Sequence, residues 1–283
     1  MALSDAQLLV STDWLAAHLG APDLRILDAS WHMPDAGRDA RAEYAAEHIP
    51  GARFFDIDDI SDDQSDLPHM APPVEKFISR MRALGVGDGH RVVVYDTAGL
   101  FSAARVWWLF RHFGKTDVAV LDGGLRKWKA EGRPVEDTAP ALRDRHFTAR
   151  RDASLVRDVT QVAASAKLGD AQIVDARAPG RFRGDEPEPR PGLRSGHIPG
   201  AKNVPYKTLL NADGTLKSPD EIRAVFAAAG VDLTRPVITS CGSGITAAVL
   251  SFALEVIGHG NHSLYDGSWT EWGSYPDLAV EQG

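Results

Sequence analysis

The residue of this 283-residue chain most suited to nucleophilic chemistry is its single cysteine, Cys241. It ends a short apolar run at residues 237–241 and is followed by Gly-Ser-Gly-Ile-Thr and then by an apolar stretch from Ala247. This pattern predicts a buried strand, a glycine-rich turn and a helix. Backbone N–H groups of such a turn, together with the positive end of the helix dipole, favour a thiolate. The alternative, a small buried residue that only packs, stays open on this evidence.

Composition narrows the class of protein. Hydrophobic residues make up 43% and charged residues 25%, as in ordinary globular proteins. The net charge of −8 argues against nucleic acid or an anionic membrane as a partner. The sequence shows no basic, apolar leader and no run of about 20 apolar residues, so we expect a cytoplasmic protein. One cysteine excludes an intrachain disulfide and a CxxC motif, and the ten histidines show no HExxH pairing, so we expect no metal site.

The chain repeats itself. Ile-Leu-Asp-Ala at 26–29 corresponds to Ile-Val-Asp-Ala at 173–176, and His-Ile-Pro-Gly-Ala follows at both His48 and His197. Further on, Asp-Gly-Gly and Asp-Gly-Ser each precede a tryptophan by the same spacing. The sequence therefore predicts two tandem copies of one domain.

Within each copy, apolar β-branched runs alternate with helical patterns. This predicts an α/β fold in which each domain is a mostly parallel sheet flanked by helices. Ligands of such folds bind beyond the carboxyl ends of the strands, where Cys241 is expected. We place the first domain at residues 1–138, a linker rich in Pro, Arg and Asp at 139–157, and the second domain at 158–283.

The two copies differ at the decisive position. Where the second copy has Cys241, the first has Asp96, which cannot form a covalent sulfur intermediate. We therefore expect the first domain to be non-catalytic. His48 and His197 occur in both copies, so they are interpreted as serving a shared turn rather than catalysis.

Tandem copies with an Asp loop and a Cys loop, His-Ile-Pro-Gly in both, and Cys-Gly-Ser-Gly-Ile-Thr resemble the rhodanese superfamily, and within it the sulfurtransferases whose donor is 3-mercaptopyruvate. The resemblance implies two rhodanese-like domains and a thiolate at Cys241 that takes sulfur from the donor, releases pyruvate, and passes the sulfur to a thiol or cyanide. No metal or organic cofactor is implied. The acceptor it implies is a thiol such as a thioredoxin-like protein. Six backbone amides would surround the persulfide, those of Cys241, Gly242, Ser243, Gly244, Ile245 and Thr246.

The resemblance also implies roles for other side chains. Arg181 and Arg190, in a proline-rich segment, would bind the substrate carboxylate, for which guanidinium groups are suited. Arg183 and Arg194 lie close by in sequence and compete for that role. Ser243 would move protons with His69 and Asp58 from the first half of the chain, since histidine titrates near neutral pH and a carboxylate fixes its tautomer.

Three other functions are alternatives for a cysteine loop of this kind. A Cys-dependent phosphatase needs an arginine that closes the loop, and Ala247 and Ala248 stand there instead. Thiosulfate sulfurtransferase is the nearer alternative, although its loop typically carries basic residues and this one is uncharged. A sulfur carrier or interaction module without turnover is the third.

Overall fold

The structure is a computed structural model that describes residues 7–283, and it divides into two compact units. Each unit draws on more than one part of the chain. The first holds the chain up to Asp62, Ala71–Asp152 and Asn211–Leu216, and the second holds Asp63–Met70, Ala153–Leu210 and Lys217–Gly283. The domain boundaries inferred from the sequence stay a prediction.

The first unit is built on a five-stranded sheet of order β1-β5-β4-β2-β3, in which every pairing is parallel. Its strands are β1 Leu9–Val10, β2 Leu24–Asp28, β3 Ala52–Phe54, β4 Arg91–Tyr95 and β5 Val118–Leu121. Its α-helices are α1 Thr12–His18, α2 Ala40–Ala46, α3 Val74–Ala83, α4 Ala103–His112 and α5 Gly124–Ala130, with a 3₁₀ turn at Pro34–Ala36.

The second unit has a sheet of order β6-β10-β9-β7-β8, again parallel throughout. Its strands are β6 Val156–Arg157, β7 Gln172–Asp175, β8 Lys202–Asn203, β9 Val237–Ser240 and β10 His262–Tyr265. Its α-helices are α6 Val159–Leu168, α7 Pro179–Arg183, α8 Pro219–Ala228, α9 Ala247–Val256 and α10 Ser268–Trp272, with 3₁₀ turns at Ala153–Leu155 and Tyr206–Leu209. Strand β6 therefore lies inside the range predicted as linker.

The two sheets have the same topology, because each strand of the first order corresponds in position to one of the second. This confirms the prediction of a duplicated α/β domain with a parallel sheet flanked by helices. The central strands are buried on both faces, which explains their continuous apolar sequences. The buried side chains include those of five tryptophans, namely Trp107, Trp108, Trp128, Trp269 and Trp272.

Helix starts follow the local sequence. Asp158 and Gln161 form a capping box at α6, and Ser218 and Glu221 form another at α8. Among residues 7–283, no helix has both the length and the hydropathy needed to cross a bilayer.

Candidate active site

Cys241 lies between strand β9 and helix α9, as the sequence predicts, and is 2% exposed. The turn depends on Gly244, whose φ of +83° is unfavourable for residues with a side chain. The Gly244 N–H donates to Cys241 Sγ over 3.2 Å. A thiolate at this point is therefore stabilised by a backbone donor at the start of a ten-residue helix.

One of the six amides expected around the sulfur has another partner. The Cys241 N–H donates to Ser268 Oγ at 3.2 Å, and that hydroxyl donates to the Tyr265 carbonyl at 2.8 Å. The Trp269 N–H donates to the Cys241 carbonyl at 2.9 Å. The Cys241 backbone is thus held from both sides by the start of α10. Sequence reasoning missed Ser268, although the Asp-Gly pair before it, which also occurs at residues 122–123 of the first copy, was a signal.

Ser243 and His69, two of the predicted proton-transfer residues, are in contact within the second unit. Ser243 Oγ lies 3.0 Å from His69 Nδ1, and both side chains are buried. His69 belongs to the segment Asp63–Met70 and has a φ of +63°, which is uncommon for a residue with a side chain. Such strained conformations concentrate at functional sites.

Asp58, the third predicted member, belongs to the first unit. Trp31 Nε1 lies 3.2 Å from each of its carboxylate oxygens and donates to them. Its role with His69 stays a prediction.

Arg181 lies against the cysteine loop. A Cβ added at Gly242 would come within 3.1 Å of Arg181 Nη2, so glycine at 242 leaves room for the guanidinium. The two other arginines considered for this role have other partners. Arg183 pairs with Asp185 at the surface. Arg194 donates to four backbone carbonyls, those of Trp272, Gly273, Tyr275 and Leu278. The assignment of Arg190 to the substrate stays a prediction.

Behind Arg181 lies a buried cluster of charges that sequence reasoning did not identify. Arg177 pairs with Asp175 at 2.8 Å and with Glu188 at 2.6 Å, and its guanidinium carbon lies 4.4 Å from the centre of the Trp269 ring. Burial disfavours the charged guanidinium, but Asp175 and Glu188 outweigh it and raise the pKa of Arg177. Two carboxylates and an aromatic ring therefore hold the Arg177 guanidinium.

His48 and His197 have matching contacts with the backbone. Their Nδ1 atoms lie 2.7 Å from the Tyr44 carbonyl and 2.8 Å from the Phe182 carbonyl, and each forms an isolated antiparallel bridge. Among the described residues, no group of three His, Cys, Asp or Glu side chains is arranged to hold a metal ion.

Known proteins share the sequence and the fold of this chain. The family model of the rhodanese-like domain matches residues 11–131 and 158–275. The chain is 45% identical to human 3-mercaptopyruvate sulfurtransferase, covering 97% of this chain and 95% of that protein. It is 43% identical to thiosulfate/3-mercaptopyruvate sulfurtransferase 1, mitochondrial, of Arabidopsis thaliana, over 99% of this chain and 79% of that protein.

Among solved structures, the chain is similar to SseA from Escherichia coli, described as a 3-mercaptopyruvate sulfotransferase. The TM-score is 0.86 at 43% identity, covering 93% of this chain and 98% of that one. The shared sequence, the two family matches and the common topology lead to one conclusion. This chain belongs to the rhodanese family, with two rhodanese-like domains.

Proposed function

We propose that the protein is a sulfurtransferase that moves sulfur from 3-mercaptopyruvate, through a persulfide on Cys241, to a thiol or cyanide acceptor, with release of pyruvate. The observation that carries the proposal is the cysteine loop. Cys241 accepts a backbone N–H at the start of α9, and the Arg181 guanidinium lies beside Gly242 in the same loop. A nucleophile and a group for a carboxylate are thus adjacent. The names of the human and Arabidopsis relatives support this donor.

The chemistry balances without an added oxidant or reductant. The Cys241 thiolate attacks the donor's sulfur, an S–S bond forms, and the C–S bond breaks with its electron pair moving to carbon. The thiol proton of the donor passes to that carbon, which gives pyruvate. An acceptor thiolate then attacks the outer sulfur, and the Cys241 thiolate leaves. The loop N–H groups stabilise negative charge on sulfur at both stages.

Ser243 and His69 supply the proton path in this proposal. Their contact at 3.0 Å forms a hydroxyl and imidazole pair whose serine lies two residues after Cys241, and imidazole exchanges protons near neutral pH. Asp58 is proposed to assist, as the family resemblance implies. His69→Ala is expected to lower kcat by about 10²-fold. An unchanged kcat would remove the pair from the mechanism.

The sulfur acceptor and the cellular location of the protein are also proposals. A thioredoxin-like dithiol fits the second half of the reaction, because its second thiol resolves the mixed disulfide or persulfide left after attack. We keep the cytoplasm as the proposed location, and neither nucleic acid nor a membrane is proposed as a partner of this acidic chain.

Thiosulfate is the second candidate donor. The Arabidopsis relative is named for both donors, and Arg181 is a cation beside the loop that suits either anion. The uncharged residues 242–244 favour the carboxylate donor, since a dianion gains more from basic residues in the loop itself.

The test is a donor assay on the whole chain. Pyruvate and thiocyanate are measured with 3-mercaptopyruvate and, separately, with thiosulfate, each with cyanide as acceptor. We expect kcat/KM to be at least about 10-fold higher for 3-mercaptopyruvate. Arg181→Ala is expected to raise KM for this donor, whereas the exposed Arg183→Ala serves as the matched control. No pyruvate from the unmodified protein would overturn the proposal, and a preference for thiosulfate would establish the second candidate.

A further inference from the structure

Within residues 7–283, the carboxylate that holds the Arg181 guanidinium is that of Glu188. Arg181 Nη2 lies 2.5 Å from Glu188 Oε2, and Arg181 Nε lies 3.3 Å from Oε1. The Arg181 side chain is 21% exposed, whereas that of Glu188 is 2% exposed. The buried Glu188 therefore fixes the position of the more exposed Arg181.

Glu188 is itself fixed from behind. Its Oε1 accepts a hydrogen bond of 2.6 Å from Arg177 Nη1. Arg177 has little freedom to move, because it also binds Asp175 and the Gly196 carbonyl and packs on Trp269. A chain of contacts thus runs from the end of β7 to the face of the cysteine loop.

The charges of this cluster balance. Asp175 and Glu188 carry two negative charges, and Arg177 and Arg181 carry two positive charges. The cluster as a whole therefore has no net positive charge that would attract a substrate anion to Arg181. Attraction of such an anion depends instead on the direction of the guanidinium N–H groups, which makes the placement of Arg181 decisive.

We propose that Glu188 is the positioning residue that holds Arg181 ready for the substrate carboxylate. This inference rests on the proposed function and adds to it a residue outside the reacting groups. Glu188 occupies the Nε–Nη2 edge of the guanidinium. Nη2, which donates to Glu188, is also the atom that a Cβ at Gly242 would approach to 3.1 Å, so the same contact sets the guanidinium against the cysteine loop. The bidentate grip prevents rotation of Arg181 away from Gly242.

A neutral isostere at this position breaks the arrangement in a defined way. Both Glu188 oxygens accept from guanidinium groups, so the amide of Glu188→Gln would direct its NH₂ at one of the arginines. Two donors then face each other, and Arg181, which is the less constrained of the two, moves. The same segment offers a matched control, since Asp185 pairs with Arg183 at the surface.

The experiment compares Glu188→Gln with Asp185→Asn in the full chain. For 3-mercaptopyruvate we expect E188Q to raise KM about 10-fold and to change kcat by less than about 3-fold, as loss of ground-state binding requires. D185N is expected to leave both constants within about 2-fold. A double-mutant cycle adds Arg181→Ala, and E188Q is expected to have no further effect on KM in that background.

Each outcome decides the matter. If E188Q behaves like D185N, or if its effect on KM adds fully to that of R181A, Glu188 is structural only and the inference fails. If the unmodified protein yields no pyruvate, the proposed function fails instead, which is a separate result. Should E188Q not fold, as judged by circular dichroism, Glu188→Asp keeps the charge beside Arg177 but shortens the reach to Arg181. It is expected to raise KM at least about 3-fold, and an unchanged KM would overturn the inference.

Discussion

The loops that follow β4 and β9 occupy equivalent places in the two units, but they differ in how many backbone N–H groups donate to the side chain that follows the strand. In the first unit the Asp96 carboxylate accepts five backbone N–H groups at 2.7–2.9 Å, those of Ala98, Gly99, Phe101, Ser102 and Ala103. In the second, Cys241 Sγ accepts that of Gly244. The frame is shared, since Leu125 N–H donates to the Asp96 carbonyl just as Trp269 N–H donates to the Cys241 carbonyl, both at 2.9 Å.

In both units the loop directs backbone N–H groups at the side chain that follows the strand. In the first unit the chain fills the loop with its own carboxylate. In the second unit, under the proposed mechanism, the loop amides beside the shorter cysteine side chain would face a transferred sulfur. Under that mechanism, the residue at one position separates a loop that its own carboxylate fills from a loop in which chemistry can take place.

The largest expected effect is on catalysis. Cys241→Ser should lower turnover by at least about 10³-fold, because the alkoxide is not accessible at neutral pH and forms no persulfide. Adding Asp96→Cys in that background should restore nothing, because Ala98 stands in the first loop where Ser243 stands in the second. Pyruvate release from both variants is the measurement. Recovered activity in the double variant would mean that the first loop is as capable as the second.

The next largest effect is on the free energy of unfolding, and we expect it in the loop of the first unit rather than in that of the second. Asp96→Ala should lower the free energy of unfolding by about 4 kcal/mol, because buried N–H groups lose their acceptor. Cys241→Ala should lower it by about 1 kcal/mol, since a single donor and a small volume are involved. Urea unfolding followed by circular dichroism compares the two. Equal losses would show that the Asp96 carboxylate is not what holds its loop together.

Asp28 and Asp175 end equivalent strands and are expected to respond oppositely to neutralisation. Burial raises the pKa of Asp28, and hydrogen bonds from Ser30 offset only part of this shift. The folded state therefore binds this proton more tightly than the unfolded state, so the contribution of Asp28 to stability falls as pH rises above about 4. Asp28→Asn should raise the free energy of unfolding at pH 8 and have a smaller effect near pH 4.

Asp175→Asn should instead lower that free energy by about 3 kcal/mol at pH 8, because the buried Arg177 loses its bidentate partner. The free energy of unfolding of both variants and of the unmodified protein is measured by urea titration at each pH. A loss of stability for D28N at pH 8 would contradict the sign derived from burial.

The smallest effect concerns the residues that follow Cys241 and Asp96. Gly242→Ala should raise KM for 3-mercaptopyruvate about 3-fold to 10-fold, because its Cβ would lie 3.1 Å from Arg181 Nη2 and displace the guanidinium. Thr97→Ala, at the equivalent place in the first loop, should leave KM unchanged. Steady-state kinetics provide the check, and an equal shift in both variants would show that the contact with Arg181 has no bearing on substrate binding.

The duplicated sheet and the cysteine loop were predictable because repeats, β-branched runs and glycine turns are local signals. The charged cluster was not, because Glu188 occurs in a proline-rich, charged segment that is typical of a solvated loop. Only the tertiary structure shows that Arg177 and Glu188 neutralise each other out of water. Ser268 escaped notice for a similar reason, since its φ of +51° and its bond to the Cys241 N–H depend on how α10 approaches the loop.

The placement of the segment Asp63–Met70 in the second unit has a consequence for synthesis and for protein engineering. His69 leaves the ribosome long before the strand that carries its partner Ser243, so the second unit is completed from both halves of the polypeptide. A fragment that starts after residue 152 would keep Cys241 but lack the imidazole. Gene fission between the repeats would therefore separate His69 from Ser243, and neither product would contain a complete unit.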